Sequence, residues 1–278
     1  MIARMDIKGP NLVKGVHLEG LRVLGRPEEF AQFYFENGAD ELFYQDVVAS
    51  LYDRNSLHEI ISATAKRSFI PLTVGGGIRT MQDIKEVLRA GADKVSINTA
   101  AIRNPAFLKE ASQKFGSSTI VVAIEAIRQK NGEYYAFIDN GREHTGVEVV
   151  KWAKEVEQLG VGEIAITSVD REGTGQGYDI ELTKLVSSSI SIPVIAHGGA
   201  GKLQHFSEAV LAGNADAVAV ASVIHYGLIM NIQSDMNSRS EGNVSFLNSG
   251  RTDFGRIEPN SIQNIKRQLL SDNISCRP

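Results

Sequence analysis

The sequence predicts an α/β protein, a closed (β/α)8 TIM barrel built from two related halves, and three observations predict it. First, Ile70-Pro71-Leu72-Thr73-Val74-Gly75-Gly76-Gly77 is echoed 122 positions later by Ile192-Pro193-Val194-Ile195-Ala196-His197-Gly198-Gly199, and Ala39–Leu42 is echoed by Val161–Ile164 at the same offset. Second, each unit is an apolar run of about five residues ending in Gly, Asp or Glu and followed by a helical stretch, the pattern of a parallel sheet covered on both faces. Third, eight such units fill the chain, four in each half. A doubly wound open sheet is the rival. The duplication argues against it, because strand-to-helix spacing stays constant and no switch point appears.

In order, strands are expected at about 2–6, 41–46, 70–74, 94–98, 119–125, 163–168, 193–197 and 216–221. Between them lie amphipathic stretches: Pro27–Glu36, Ser56–Lys66, Met81–Arg89, Pro105–Lys114, Val147–Leu159 and Leu203–Ala212. Asn104 before Pro105 reads as an N-cap followed by Pro at the first helical position. After His225 the pattern changes. Residues 232–256, rich in Ser, Asn, Arg and Gly, read as a long polar loop, with a closing helix at about 259–270. A loop of that length inside a compact domain is expected to be functional or mobile. Residues 1–278 are expected to form one barrel domain.

Composition narrows the function classes. The 278 residues are 42% hydrophobic and 22% charged, as in an ordinary soluble protein. With a net charge of −4 and no basic stripe, nucleic acid and anionic membrane are poor partners. Cys276 is the single cysteine, which excludes an internal disulfide framework and a cysteine-based zinc site. The six histidines lack metal-ligand spacing, so no metal or other cofactor is expected. No charged segment followed by an apolar run opens the chain, and no stretch approaches membrane-spanning length. A cytoplasmic enzyme is the expectation.

In such barrels chemistry sits at the C-terminal ends of the strands. Asp6 and Glu125 end the first strand of each half, and two carboxylates facing across a mouth suit general acid and base roles. The plain alternative is a solvated strand-end acid, and the internal symmetry weighs the two about evenly. Gly76-Gly77 and Gly198-Gly199 lack side chains where backbone must approach a ligand. With Asn98-Thr99 and Ala221-Ser222 they suggest two matched phosphate sites spanning the mouth. A lone Gly-Gly is more often a turn; the matched pair strengthens the phosphate reading. The Gly173-Thr-Gly-Gln-Gly177 run has the wrong spacing for a dinucleotide fingerprint.

These residues resemble a known family. Met5-Asp6-Ile7-Lys8, Val13-Lys14-Gly15, Val74–Ile78, Lys94–Ala101, Asp170–Thr174 with Gly177-Tyr178-Asp179, and His197–Lys202 are similar to motifs of the HisF-type cyclase subunit of imidazole glycerol phosphate synthase. The resemblance covers residues 1 to about 228. The isomerase of the same pathway shares the barrel and the first Asp, but Ser96–Ala101 and Gly177–Asp179 resemble the cyclase. The resemblance implies an ammonia-dependent lyase acting on a small bis-phosphorylated ribotide in histidine biosynthesis. It implies a heterodimer with a glutaminase on the N-terminal face. It makes Asp6 catalytic and Lys14 a substrate contact, and extends the substrate site to Asp170 and Gly173. Glu41, Lys94 and Glu163 become an ammonia gate, a narrow ring at the barrel bottom expected to be looser or wetter than the family's for want of one arginine, with Asp93 facing the glutaminase.

Four departures leave alternatives open. The second catalytic position is Glu125 where the family has aspartate, and one added methylene moves a carboxylate about 1.5 Å, where displacements of about 1 Å can cost on the order of 100-fold in rate. Glu172 likewise replaces an aspartate, the family's gate arginine would fall one residue before Met1, and the tail is longer. One alternative is a paralogous barrel passing ammonia to a sugar amidotransferase of surface-polysaccharide synthesis. The other is a catalytically silent scaffold for the glutaminase.

Overall fold

The computed structural model describes residues 1–49, 57–232 and 255–277. Its strands are β1 (Ile2–Lys8), β2 (Asn11–Val16), β3 (Glu19–Gly25), β4 (Glu41–Asp46), β5 (Leu72–Gly75), β6 (Lys94–Ile97), β7 (Ile120–Arg128), β8 (Tyr134–Ile138), β9 (Glu143–Glu148), β10 (Glu163–Ser168), β11 (Val194–His197) and β12 (Ala217–Val220). Eight of them pair in parallel in the order β1, β4, β5, β6, β7, β10, β11, β12, and β12 returns to β1, closing the barrel. The predicted fold is borne out, and β1 and β7 stand four strands apart whichever way the ring is followed.

Alternation along each strand sorts the core. On β1, Ala3, Met5 and Ile7 face outward into the main apolar cluster beneath the helices, while Ile2, Arg4 and Asp6 lie on the other face. Ile2, Phe43, Val121, Ala165, Ile195 and Ala219, from six strands, form a separate apolar cluster that fills the bore. Above it the buried residues are polar: Arg4, Asp6, Ser96, Glu125, Thr167 and His197. An apolar layer therefore lies in the lower bore, and the fully buried polar side chains of the barrel interior gather at the C-terminal mouth.

Helices Pro27–Glu36, His58–Ala65, Met81–Ala90, Ala106–Phe115, Val149–Gln158 and Leu203–Leu211 lie where periodicity puts them. Their starts are set by caps: Thr80 and Asp83 form a capping box, and the Glu148 carboxylate accepts from the N–H groups of Val150 and Lys151. The Asn104 cap is corrected. The helix begins at Ala106 with Pro105 in the capping place, and no side-chain cap forms there. Three helices went unread: Thr99–Arg103, Ile180–Ser187 and Ser222–Ile232, the last running through His225. Asp179 starts the second, accepting from Leu182 N–H at 3.0 Å.

The larger omission is two antiparallel hairpins, β2–β3 on β1 and β8–β9 on β7, one on the first strand of each half. Most of the expected polar loop at 232–256 lies outside the described residues. Helix Ile262–Ser271 follows, and its Lys266 meets Asp40 at 2.8 Å. Asp40 also holds the Met1 amino group at 2.7 Å, tying both ends of the chain to the barrel bottom.

Candidate functional site

Asp6 and Glu125 lie on opposite sides of the mouth, 2% and 5% exposed. Their surroundings differ. Asp6 Oδ1 accepts from Arg4 Nε at 3.1 Å, a charge-assisted bond inside the barrel. Among the described residues Glu125 has no cation in contact, and it accepts from Gly141 N–H at 2.7 Å. Burial pushes the Glu125 carboxyl up to about 7, with Arg4 and the Gly141 N–H opposing and Asp6 and Asp139 adding to the rise. A carboxyl of that kind holds or releases a proton near neutral pH.

The two hairpins roof this mouth. The first turns through two residues of positive φ, His17-Leu18, and the second through four, 139–142, of which Asp139, Asn140 and Gly141 take positive φ. The tips touch: Asn140 Nδ2 donates to Leu18 O at 3.1 Å across the 122-residue offset. The first hairpin is latched by Glu172, which pairs with buried Lys14 and accepts from Leu18 N–H at 2.9 Å. His17 N–H donates to Glu172 O at 3.0 Å. Burial alone would lower the Lys14 ammonium's pKa, but Glu172 and Asp6 outweigh it and hold it above its ordinary value. Lys14, expected as a substrate contact, is thus committed to Glu172.

The two glycine cradles are unequal. Gly76 and Gly77 have φ of +103° and +70°, and a Cβ on Gly76 would come within 2.5 Å of Asp46 O. They line a cavity of about 340 Å³ with Asn98, Thr99, Arg79, Arg103 and Glu125. Asn98 Nδ2 donates to Phe137 O at 3.2 Å, while its Oδ1 and the Ser96 hydroxyl are buried without partners among the described residues. Gly198 and Gly199, φ +96° and +107°, line a space of only about 10 Å³ with Lys14, Glu172, Gly173, His197, Ala221 and Ser222. One cradle is open and the other is filled by the latched hairpin.

At the opposite end Lys94 Nζ meets Glu163 at 2.6 Å and Glu41 at 3.2 Å. Burial favours the neutral amine, but Glu163 and then Glu41 raise the Lys94 pKa. The three charges meet, and side-chain exposures of 16% to 26% open the ring to the lower face. Asp93 and Asp170 are turned to backbone. Asp93 accepts from Leu72 N–H and Asp170 from Arg128 N–H, each at 2.8 Å, and both are exposed.

Arg4, Thr167 and His197 were not singled out as site residues. Arg4 Nη1 reaches Thr167 Oγ1 at 3.4 Å, and Thr167 Oγ1 lies 3.2 Å from His197 Nδ1. Alternation along β1, β10 and β11 points all three inward, and that signal could have found them. Among the described residues no helix is long and apolar enough to cross a membrane.

A family described as "Histidine biosynthesis protein" matches residues 1–230. The imidazole glycerol phosphate synthase subunit HisF of Legionella pneumophila is 59% identical over 74% of this chain and 98% of its own length. The subunit HisF of Alkaliphilus metalliredigens (strain QYMF) is 45% identical over 81% of this chain and 90% of its own.

Proposed function

The chain belongs to the histidine biosynthesis protein family, and from that membership we propose that it works as a HisF-type cyclase subunit of an imidazole glycerol phosphate synthase, an ammonia-using lyase. The observation that carries the reading is the unequal carboxylate pair at one mouth. Asp6, held by Arg4, is suited to accept a proton, and Glu125, with its carboxyl near 7, to supply one.

The substrate is a bis-phosphorylated ribotide. One phosphate takes the open cradle of Gly76, Gly77, Asn98 and Thr99. The other takes Gly198, Gly199, Ala221 and Ser222, once the first hairpin lifts and Lys14 and Gly173 turn to the ligand. A glutaminase docks on the N-terminal face beside Asp93, and its ammonia enters past Glu41, Lys94 and Glu163. One domain in the cytoplasm, with Asp170 shaping the loop after β10, completes the proposal.

The test is turnover of the purified chain with ammonium salt, and with glutamine plus a glutaminase subunit. Cyclisation is expected with both nitrogen sources, and Lys94→Ala is expected to impair the glutamine-driven reaction more. No turnover with ammonium salt would overturn the cyclase reading in favour of a paralogue or a silent scaffold.

A further inference from the structure

A chain of polar contacts runs through the mouth from one half to the other: Asp6 Oδ1 to Arg4 Nε at 3.1 Å, Arg4 Nη1 to Thr167 Oγ1 at 3.4 Å, and Thr167 Oγ1 to His197 Nδ1 at 3.2 Å. All four residues are buried, at 5% exposure or less. The guanidinium also lies 5.6 Å from the centre of the Phe43 ring.

Proton inventory fixes the first link of this chain and leaves the second to the tautomer of His197. A guanidinium only donates, so Thr167 Oγ1 accepts from Arg4. The Thr167 hydroxyl proton is then free for His197 Nδ1. Burial, with the nearby charges of Arg4 and Lys14, keeps the His197 imidazole neutral, far below its ordinary pKa. A neutral ring carries one proton, and an accepting Nδ1 puts it on Nε2. His197 lines the small space formed by Gly198, Gly199, Ala221 and Ser222.

The repeat shows that the fold does not demand these residues. At the 122-residue offset, Gln45 stands in the place of Thr167 and Gly75 in that of His197. Arg4, two residues before Asp6, has as its counterpart Ala123, two before Glu125. Both halves close the same barrel, and the residues matched to this chain of contacts at the repeat are Gln45, Gly75 and Ala123. A buried ion pair is an inefficient stabiliser, because desolvation offsets its attraction.

We propose that Thr167, oriented by Arg4, is a positioning residue that fixes the tautomer of His197, so that His197 offers its Nε2–H to an anion held at Gly198-Gly199. The proposal adds a side-chain donor to the second phosphate site and rests on the reading of that site given above. A neutral donor suits a cradle that already holds the Lys14 ammonium, since it adds a hydrogen bond without adding a like charge.

The test is ¹⁵N NMR of the histidine-labelled full chain, with the resonance identified by its loss in His197→Asn. The parent is expected to show a protonated Nε2 and bare Nδ1 from pH 6 to 8, about one unit either side of neutrality where an ordinary histidine titrates. Thr167→Ser keeps the hydroxyl and is expected to keep that tautomer. Thr167→Val, nearly isosteric, and Arg4→Met are expected to mix the two tautomers. Inorganic phosphate titrated into the parent should shift the Nε2 resonance, with affinity falling about ten-fold in Thr167→Val, the scale of one hydrogen bond. A protonated Nδ1 in the parent, an unchanged tautomer in Thr167→Val, or no Nε2 shift with phosphate would each overturn the proposal. Absence of cyclase turnover alone would count against the reaction and leave these readouts standing.

Discussion

The two halves of the barrel share a frame and differ in what they hang on it. Both place an antiparallel hairpin on their first strand, both bend the hairpin tip with successive residues at positive φ, and both follow their third strand with paired glycines. The differences are concentrated inside the mouth. The first half sets Arg4 beneath Asp6, where the second has Ala123 beneath Glu125. The second supplies Thr167 and His197 where the first has Gln45 and Gly75. What does not recur is not demanded by closing the barrel, and it is there that a ligand has to be invoked. By this criterion the cation assigns the roles: Asp6 has a buried guanidinium partner, and Glu125 keeps a proton near neutrality.

The largest effect is expected from removing this asymmetry. Asp6→Asn and Glu125→Gln should each lower ammonium-driven turnover by about 10²–10⁴-fold, the range for lost general acid–base catalysis. Glu125→Asp should preserve or raise turnover if the site is built for cyclisation, and a loss would mean that the longer side chain has been retuned for other chemistry. Equal, small effects of both neutral variants on turnover would break the comparison.

The latch comes next. Lys14 is buried opposite Glu172 one residue past the strand partner of Asp6, whereas the residue one past the strand partner of Glu125 is Ile138. Glu172→Ala strands a buried ammonium, and removing one partner of a buried pair costs about 3–5 kcal/mol unless the segment moves. Hydrogen exchange should show the opening of residues 11–25 with the barrel strands still protected. The double change Lys14→Met with Glu172→Leu should restore protection. If hairpin protection is unaltered in Glu172→Ala, the pair is not the latch.

A third test reads Glu125 in the free protein. Its folded pKa is near 7 against an ordinary 4.5, so over that window the folded state holds a proton that the unfolded chain has released. Stability therefore falls as pH rises from 4.5 to 7, by up to about 3 kcal/mol from this group. Glu125→Gln should flatten that part of the profile in denaturant titrations. A parent and variant with parallel profiles would show that burial does not hold the proton.

The barrel was legible because its apolar strand runs are local signals and the 122-residue echo repeats them. Asp6, Glu125 and the glycines were legible because they end apolar runs. The hairpins were not: β2 and β3 carry Lys14, Glu19 and Arg22 among their apolar residues, and their pairing depends on β1 being present as a template. The latch was illegible for a related reason. Lys14 and Glu172 lie 158 positions apart, and only the closed barrel brings them together. Resemblance also gave Asp93 and Asp170 functional places, whereas in this chain each carboxylate satisfies a backbone N–H.

The smallest expected effect tests the criterion on Asp93 itself. Asp93 accepts from Leu72 N–H at 2.8 Å, and Asp216 in the second half accepts from Val194 N–H at 2.8 Å. Each backbone N–H in turn donates to the matching carbonyl, Asp93 to Leu72 O and Asp216 to Val194 O. A contact found in both halves is scaffold, since it lets the chain enter a barrel strand without leaving its first N–H unpaired. Asp93→Asn and Asp216→Asn should therefore lower stability by similar amounts, about 1 kcal/mol or less, the net worth of one hydrogen bond. Neither should change ammonium-driven turnover. The criterion is sharpened by the glutamine-driven reaction. If Asp93 also meets a glutaminase, Asp93→Asn alone should weaken coupling to it; if the two variants behave alike there as well, Asp93 is scaffold only.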